Sequence, residues 1–193
     1  MKLQPLFFSS VLLAALALGG CSPNDATTAI SAVKQAVSLE TVSAQAKGFT
    51  VGSMMSANTV YVFFDTQCPH CGHLWAASQP LQKKIKFVWI PIGMINATSV
   101  AQGAALLTSA NPGALMTEHE ESLLAGKGGI SATASISPEM QQSIKKNTQL
   151  LTNFGAESVP FVVAKNLKTG QTVSRDGAMT TAALAEFLGL DQP

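Results

Sequence analysis

The apolar and polar positions of this chain fall into a few distinct rhythms. Residues 59–64, "TVYVFF", form an unbroken β-branched and aromatic run, the pattern of a buried strand. Asp65-Thr66-Gln67 is a polar break. Pro69 then suits a first helical turn, where a missing N–H costs nothing. Leu74, Trp75, Ala76 and Ala77 carry that helix to about Gln79, and Pro80 kinks or ends it. "KFVWIPI" at 86–92 is a second strand. An Ala/Leu-rich helix follows over 99–110, and Pro112-Gly113 starts another, with Glu118, Glu120 and Glu121 on its polar side. "GKGG" at 126–129 reads as a loop. Ser137-Pro138-Glu139 supplies an N-cap, a first-turn proline and an early acid for a helix to about Asn153. Residues 161–165 and 171–174 flank "NLKTG" as a hairpin, and 180–188 closes the chain as a helix before Gly189. Strands on both sides of helices, a hairpin and a closing helix predict an α/β layered fold.

The N-terminus follows a different rhythm and is set aside from the fold. Lys2 precedes an apolar run over 6–18, of signal-peptide length and too short to span a membrane comfortably. It ends in Leu18-Gly19-Gly20-Cys21, which resembles the lipobox of bacterial lipoproteins. That resemblance implies removal of residues 1–20, a lipid on Cys21, and, with Ser22 rather than an aspartate next, an outer-membrane address. The alternative is ordinary secretion with cleavage after Ala17 or Gly20, which leaves a soluble protein outside the cytoplasm. Residues 21–57 are expected to form a tether, with "TTAISAVKQAV" a short helix carrying Ile30, Val33 and Val37 on one face, or a flexible spacer. The expected domain covers 58–193.

Composition adds limits. With 193 residues there is room for one domain and a short appendage. A net charge of +1 and only 12% charged residues give no footprint for nucleic acid. The cysteines change the picture more. Three is an odd number for a secreted chain; if Cys21 carries lipid, Cys68 and Cys71 remain as a pair. A bridge closing two residues restrains little of the unfolded chain, so a structural staple is a poor use of it. A structural zinc site asks for four ligands. No second such pair exists, and His73 lies two residues from Cys71, off the face that Cys68 and Cys71 share at i, i+3. No metal or other cofactor is therefore expected. The reactive reading fits the local pattern: Cys68 stands at a helix N-terminus, where unpaired N–H groups and the helix dipole favour a thiolate. His70 adds to this if it is charged or donates a hydrogen bond; otherwise it is a solvated imidazole.

Phe63-Phe64-Asp65, Cys68-Pro69-His70-Cys71, Leu74-Trp75 and the later Val159-Pro160 resemble the thioredoxin-fold Dsb oxidoreductases of the bacterial periplasm. "WIPIGMI", "AALLTSANPGALMTEHEESLLAGKGG" and "ISPEMQQSIKKNTQLLTNFGAESVPFVV" extend the likeness to the catalytic domain of the DsbG/DsbC group. The resemblance implies a four-stranded thioredoxin core carrying a helical insertion at about 97–152. It implies thiol–disulfide exchange with periplasmic proteins, Cys68 as the attacked sulfur and Cys71 as its resolving partner. It implies a cis Pro160 facing the pair, with Val159 helping to set redox poise and to align substrate. Asp65 is expected either to tune proton transfer to Cys71 or to be a strand-end carboxylate in a turn. Cys-Pro-His-Cys and Val159 resemble DsbA, where DsbG has a tyrosine and a threonine at these places. A dithiol oxidase is therefore the first expectation, with a reductase or isomerase, or a non-enzymatic holdase chaperone, as alternatives. A redox partner in the membrane is implied, and, with no space for a dimerisation domain before residue 58, a monomer.

Overall fold

The computed structural model describes residues 34–133 and 135–191. The signal segment at 1–20, Cys21 and most of the suggested helix at 27–37 lie outside the described residues.

The central strand is the run seen in the sequence. β2 (Thr59–Asp65) pairs in parallel with β3 (Lys86–Ile92) and antiparallel with β4 (Phe161–Lys165). β5 (Thr172–Asp176) pairs with β4 across the "NLKTG" turn. A further strand, β1 (Phe49–Gly52), runs antiparallel to β3, so the sheet has five strands in the order β1-β3-β2-β4-β5. The expected four-stranded sheet is one strand short, and the stretch expected as a tether contributes structure from Leu39 onward. α1 (Leu39–Gln45) is capped by Ser38, which accepts from the Thr41 N–H, while Val37 precedes it in irregular chain. α1 and β1 are seven and four residues long. Elements this short carry too few periodic positions to be read from sequence.

Because strand side chains alternate, β2 feeds two cores. Val60, Val62 and Phe64 join Trp89, Phe87, Leu74 and Trp75 on one face. Phe63 joins Ile90, Ile92, Phe161 and Val163 on the other. α2 (Pro69–Ser78) and α6 (Thr181–Leu188) cover the first face; α1 and α5 (Pro138–Asn153) cover the second. The aromatic centre is tight. Trp89 packs edge-to-face on Phe64 at 5.5 Å and on Trp75 at 5.1 Å between centroids, spacings that favour such pairs beyond their buried area.

Three helices lie between β3 and β4: α3 (Ala97–Thr108), α4 (Pro112–Leu124) and α5. Each starts on a side-chain cap. Asn96 and Ser99 form a capping box on α3, Asn111 precedes Pro112 on α4, and Ser137 precedes Pro138 on α5. This is a thioredoxin fold with an inserted helical subdomain.

Asn147 of α5 stitches the second layer together. Its amide accepts from the Lys47 N–H at 2.9 Å and donates to the carbonyls of Lys47 at 2.8 Å and Pro91 at 2.9 Å. The side chain is fully buried, so its removal strands backbone groups with no water to replace it. Asn147→Ala is expected to destabilise the fold by about 3 kcal/mol. Urea unfolding should show this as a lower midpoint at unchanged slope.

Candidate active site

The site forms where β2 ends. Asp65-Thr66-Gln67 turns the chain, the Cys68 N–H donates to the Asp65 carbonyl at 3.0 Å, and α2 begins with Cys68 as N-cap and Pro69 in its first turn. Cys68 is 5% exposed and Cys71, one turn on, is fully buried; both are unbridged. Across from them the Val159–Pro160 peptide is cis, and the Cys68 Sγ lies 3.5 Å from the Val159 carbonyl oxygen. Residues 91 positions apart in sequence thus meet at one sulfur. His70 is exposed, its ring 6.0 Å from that of His73.

The two thiols are driven apart in acidity. Cys68 is lowered to about 6. The largest cause is the hydrogen bond from the Cys71 thiol; the N–H groups of Cys71 and His70 and the charge of His70 add to it, against the opposing effect of burial. Cys71 is pushed well above the usual thiol range by burial first, then by its bond to Cys68 and the negative charge there. A cysteine held as a thiolate next to one held as a thiol is an arrangement for nucleophilic sulfur chemistry.

Asp65 faces the insertion. Its carboxylate is fully buried and accepts from the Gln67 N–H at 2.9 Å, the Ser99 hydroxyl at 2.6 Å, the Met94 N–H at 2.7 Å and the Ile95 N–H at 3.0 Å. These bonds tie the end of β2 to the loop after β3 and to the start of α3.

Sequence reasoning missed three further residues. His119 is fully buried; its Nδ1 accepts from the Ile130 N–H at 3.1 Å, so its Nε2–H donates to the Thr66 carbonyl at 2.7 Å. Burial holds the imidazole neutral by lowering its pKa. Gln102 donates to the carbonyls of Gly128 and Ile130, each at 2.8 Å, and accepts from Gln67 at 2.6 Å. Gly129 makes this packing possible: its φ is +85°, and the His119 ring occupies the space a side chain would need. Glu120 corrects the reading of α4. It was expected on the polar side with Glu118 and Glu121, yet it is 2% exposed and turned toward α2. An acidic "EHEE" run reads as a solvated face when the helix partners are unknown; the available signal was Gly72, a small residue directly after Cys71.

No family model matches the chain. It is 30% identical over 141 residues to the thiol:disulfide interchange protein DsbG of Pseudomonas aeruginosa, covering 72% of this chain and 54% of that protein. It is 30% identical over 105 residues to the protein of the same name from Escherichia coli, covering 53% of this chain and 42% of that protein. The chain thus spans about half the length of the curated relatives it matches. A periplasmic thioredoxin-like protein from Salmonella enterica superposes with a TM-score of 0.63 at 16% identity, over 80% of this chain and 97% of that one. That likeness is one of fold.

Two measurements test the electrostatics. Replacing Cys71 by alanine removes the largest cause of Cys68 acidity. The midpoint of thiolate ultraviolet absorbance should then rise from about 6 toward the ordinary thiol value of ~8.5. The second is linkage. Cys68 is an acid whose folded pKa is depressed, so its contribution to the stability of the reduced form is complete above the unfolded value of ~8.5. It is lost as the pH falls through about 6. Urea midpoints of the reduced protein should fall over that window relative to those of the disulfide form, which has no thiolate to protonate.

Proposed function

We propose that this chain is a thiol–disulfide oxidoreductase acting on proteins in the bacterial periplasm, and that it works as a dithiol oxidase. The observation that carries the reading is the split acidity of Cys68 and Cys71 at the start of α2. In the oxidised form a substrate thiolate attacks Cys68, and Cys71 departs. A second substrate thiolate then displaces Cys68, which leaves readily because it is stable as an anion. A thiolate held at low pKa stabilises the reduced form and so makes the disulfide a stronger oxidant. Pro69 and His70 shape that helix end. Val159, half-buried beside Cys68, offers its backbone to an extended substrate segment next to Pro160.

A second reading is favoured by the 30% identity to the two DsbG proteins. In it the same chemistry runs from reduced Cys68 attacking a substrate disulfide, and the enzyme is a reductase or isomerase. The helical insertion between β3 and β4 would serve either direction by shaping the substrate face. Lipid attachment at Cys21, an outer-membrane tether, a monomeric state and a redox partner in the membrane complete the proposal.

Cys68→Ala alone should abolish both dithiol oxidation and insulin reduction, whereas Cys71→Ala should accumulate a mixed disulfide between Cys68 and substrate. A double Cys68→Ala, Cys71→Ala variant that keeps full biological activity would instead point to the holdase. The reduction potential against glutathione assigns the direction: an oxidising value supports the oxidase, a thioredoxin-like value the reductase.

A further inference from the structure

Residues 126–130 form a strap between the end of α4 and the turn before Cys68, and they belong to no helix or strand. From Gly128 onward the strap is fastened by side chains. The Gly128 carbonyl accepts from Gln67 Nε2 at 3.0 Å and from Gln102 Nε2 at 2.8 Å. The Gly129 carbonyl accepts from the Ser122 hydroxyl at 3.0 Å, and the Ile130 carbonyl from Gln102 Nε2 at 2.8 Å. The Ile130 N–H donates to His119 Nδ1 at 3.1 Å. Gly126 and Gly128 have φ of +73° and +82°, with open space where side chains would stand, so the strap has room to swing.

His119 is the one side chain that grips both the strap and the chain entering α2. Its ring is fully buried, and its Nε2–H donates at 2.7 Å to the carbonyl of Thr66, two residues before Cys68. Both bonds hold together only for the neutral ring protonated on Nε2. A proton from solvent on Nδ1 would set an N–H against the Ile130 N–H, two donors with no acceptor between them, around a buried cation. The charged neighbours do not reverse this. Burial lowers the His119 pKa, and the Thr66 carbonyl and the Asp65 carboxylate, which favour the charged ring, offset only part of that. On α4, Glu120 is raised to about 8, first by burial, and is uncharged where an imidazole titrates. Glu118 and Glu121 are exposed, as are Lys127 on the strap and His70 and His73 on α2. α2 also carries Cys71, with Cys68 at its cap, while α3 and β1 carry no ionisable group.

Building on the oxidoreductase reading, we propose that His119 is a positioning residue for disulfide exchange: its neutral ring latches the strap at 126–130 onto the turn before Cys68, and acid releases the strap. With the latch closed, that turn is held through the Asp65 carboxylate, the Thr66 carbonyl and the Gln67 side chain. On release, a proton from water occupies Nδ1, the Ile130 N–H turns to solvent, and Gln67 loses the Gly128 carbonyl. Cys68 then stands on a turn with fewer restraints. In the released strap the ring has the ordinary imidazole value of ~6.5, whereas in the latched one it lies lower. The latch is therefore at full strength above ~6.5. Below that it weakens about tenfold per pH unit, because release takes up one proton.

The test uses the purified oxidised protein, in which Cys68 does not titrate. Hydrogen exchange reads the latch. Protection of the Ile130 amide should be constant above pH ~6.5 and fall about tenfold per unit from there to about 5, while the amides of β2 keep theirs. Mixed-disulfide formation with a single-cysteine peptide reads the positioning. At neutral pH, His119→Phe keeps a ring but neither bond, and its rate per peptide thiolate should be about tenfold lower than that of the wild type. His119→Gln has an amide able to donate to Thr66. It should recover most of that rate and show no acid slope at Ile130. Level Ile130 protection in the wild type across that window, equal loss from β2, or a His119→Phe variant with the wild-type rate overturns the proposal and leaves the exchange reading standing. A wild type that forms no mixed disulfide overturns both. The hydrogen-exchange slope needs the wild type alone, so a poorly folding variant does not shield the idea.

Discussion

A negative sulfur at the N-cap of α2 is the constraint around which this molecule is arranged. Nothing in bulk water would keep Cys68 ionised near pH 6. Here the neighbouring thiol donates to it, α2 amides point at it, and it is nearly shielded from solvent. Low dielectric strengthens each of these attractions and makes an unmatched charge costly. The helix start must therefore be held in place, and its surroundings must be tuned, because small displacements would turn a stabilising dipole into a bare desolvation penalty.

Most of that holding comes from the insertion. Asp65 binds the loop after β3 and the cap of α3 through its two oxygens. His119 on α4 binds the Thr66 carbonyl, two residues before Cys68. Trp75, four residues after Cys71, donates to Thr117 on α4 at 3.3 Å. The inserted helices thus reach both ends of the cysteine motif, and Glu120 brings a carboxyl to its middle at Gly72. Fully satisfied buried networks rigidify and specify a unique arrangement. Among the described residues, Glu120 with its two oxygens and Trp89 with its Nε1 are the buried side chains left unsatisfied, and such groups in native folds call for an explanation.

The sheet explains why the pieces meet. Parallel pairing of β2 with β3 sends both chains out at the same edge, so the turn before Cys68 and the loop at Gly93 to Asn96 leave the sheet side by side. Antiparallel β4 starts at that edge, which brings Val159 and Pro160 to it. Ligand chemistry at the carboxyl ends of parallel strands follows the same geometry.

Much of this was legible in the chain. The unbroken run at β2, the proline-led helix starts and the Ser137 cap are local signals, and they are sufficient because propensity and capping act within a few residues. The Cys68–Cys71 pair and its placement at a helix start were readable for the same reason. α1 and β1 were not, since seven- and four-residue elements owe their existence to partners, α5 and β3, that are far away in sequence. What the amino-acid order determined alone was where the cysteine pair stands and where the longer helices and strands lie. Which carboxylate is dry, which is bonded and which is solvated was decided only by folding. Glu118, Glu120 and Glu121 are identical side chains on one helix, and their electrostatics differ because only Glu120 turns toward Gly72, a contact 48 residues apart that no local rule encodes.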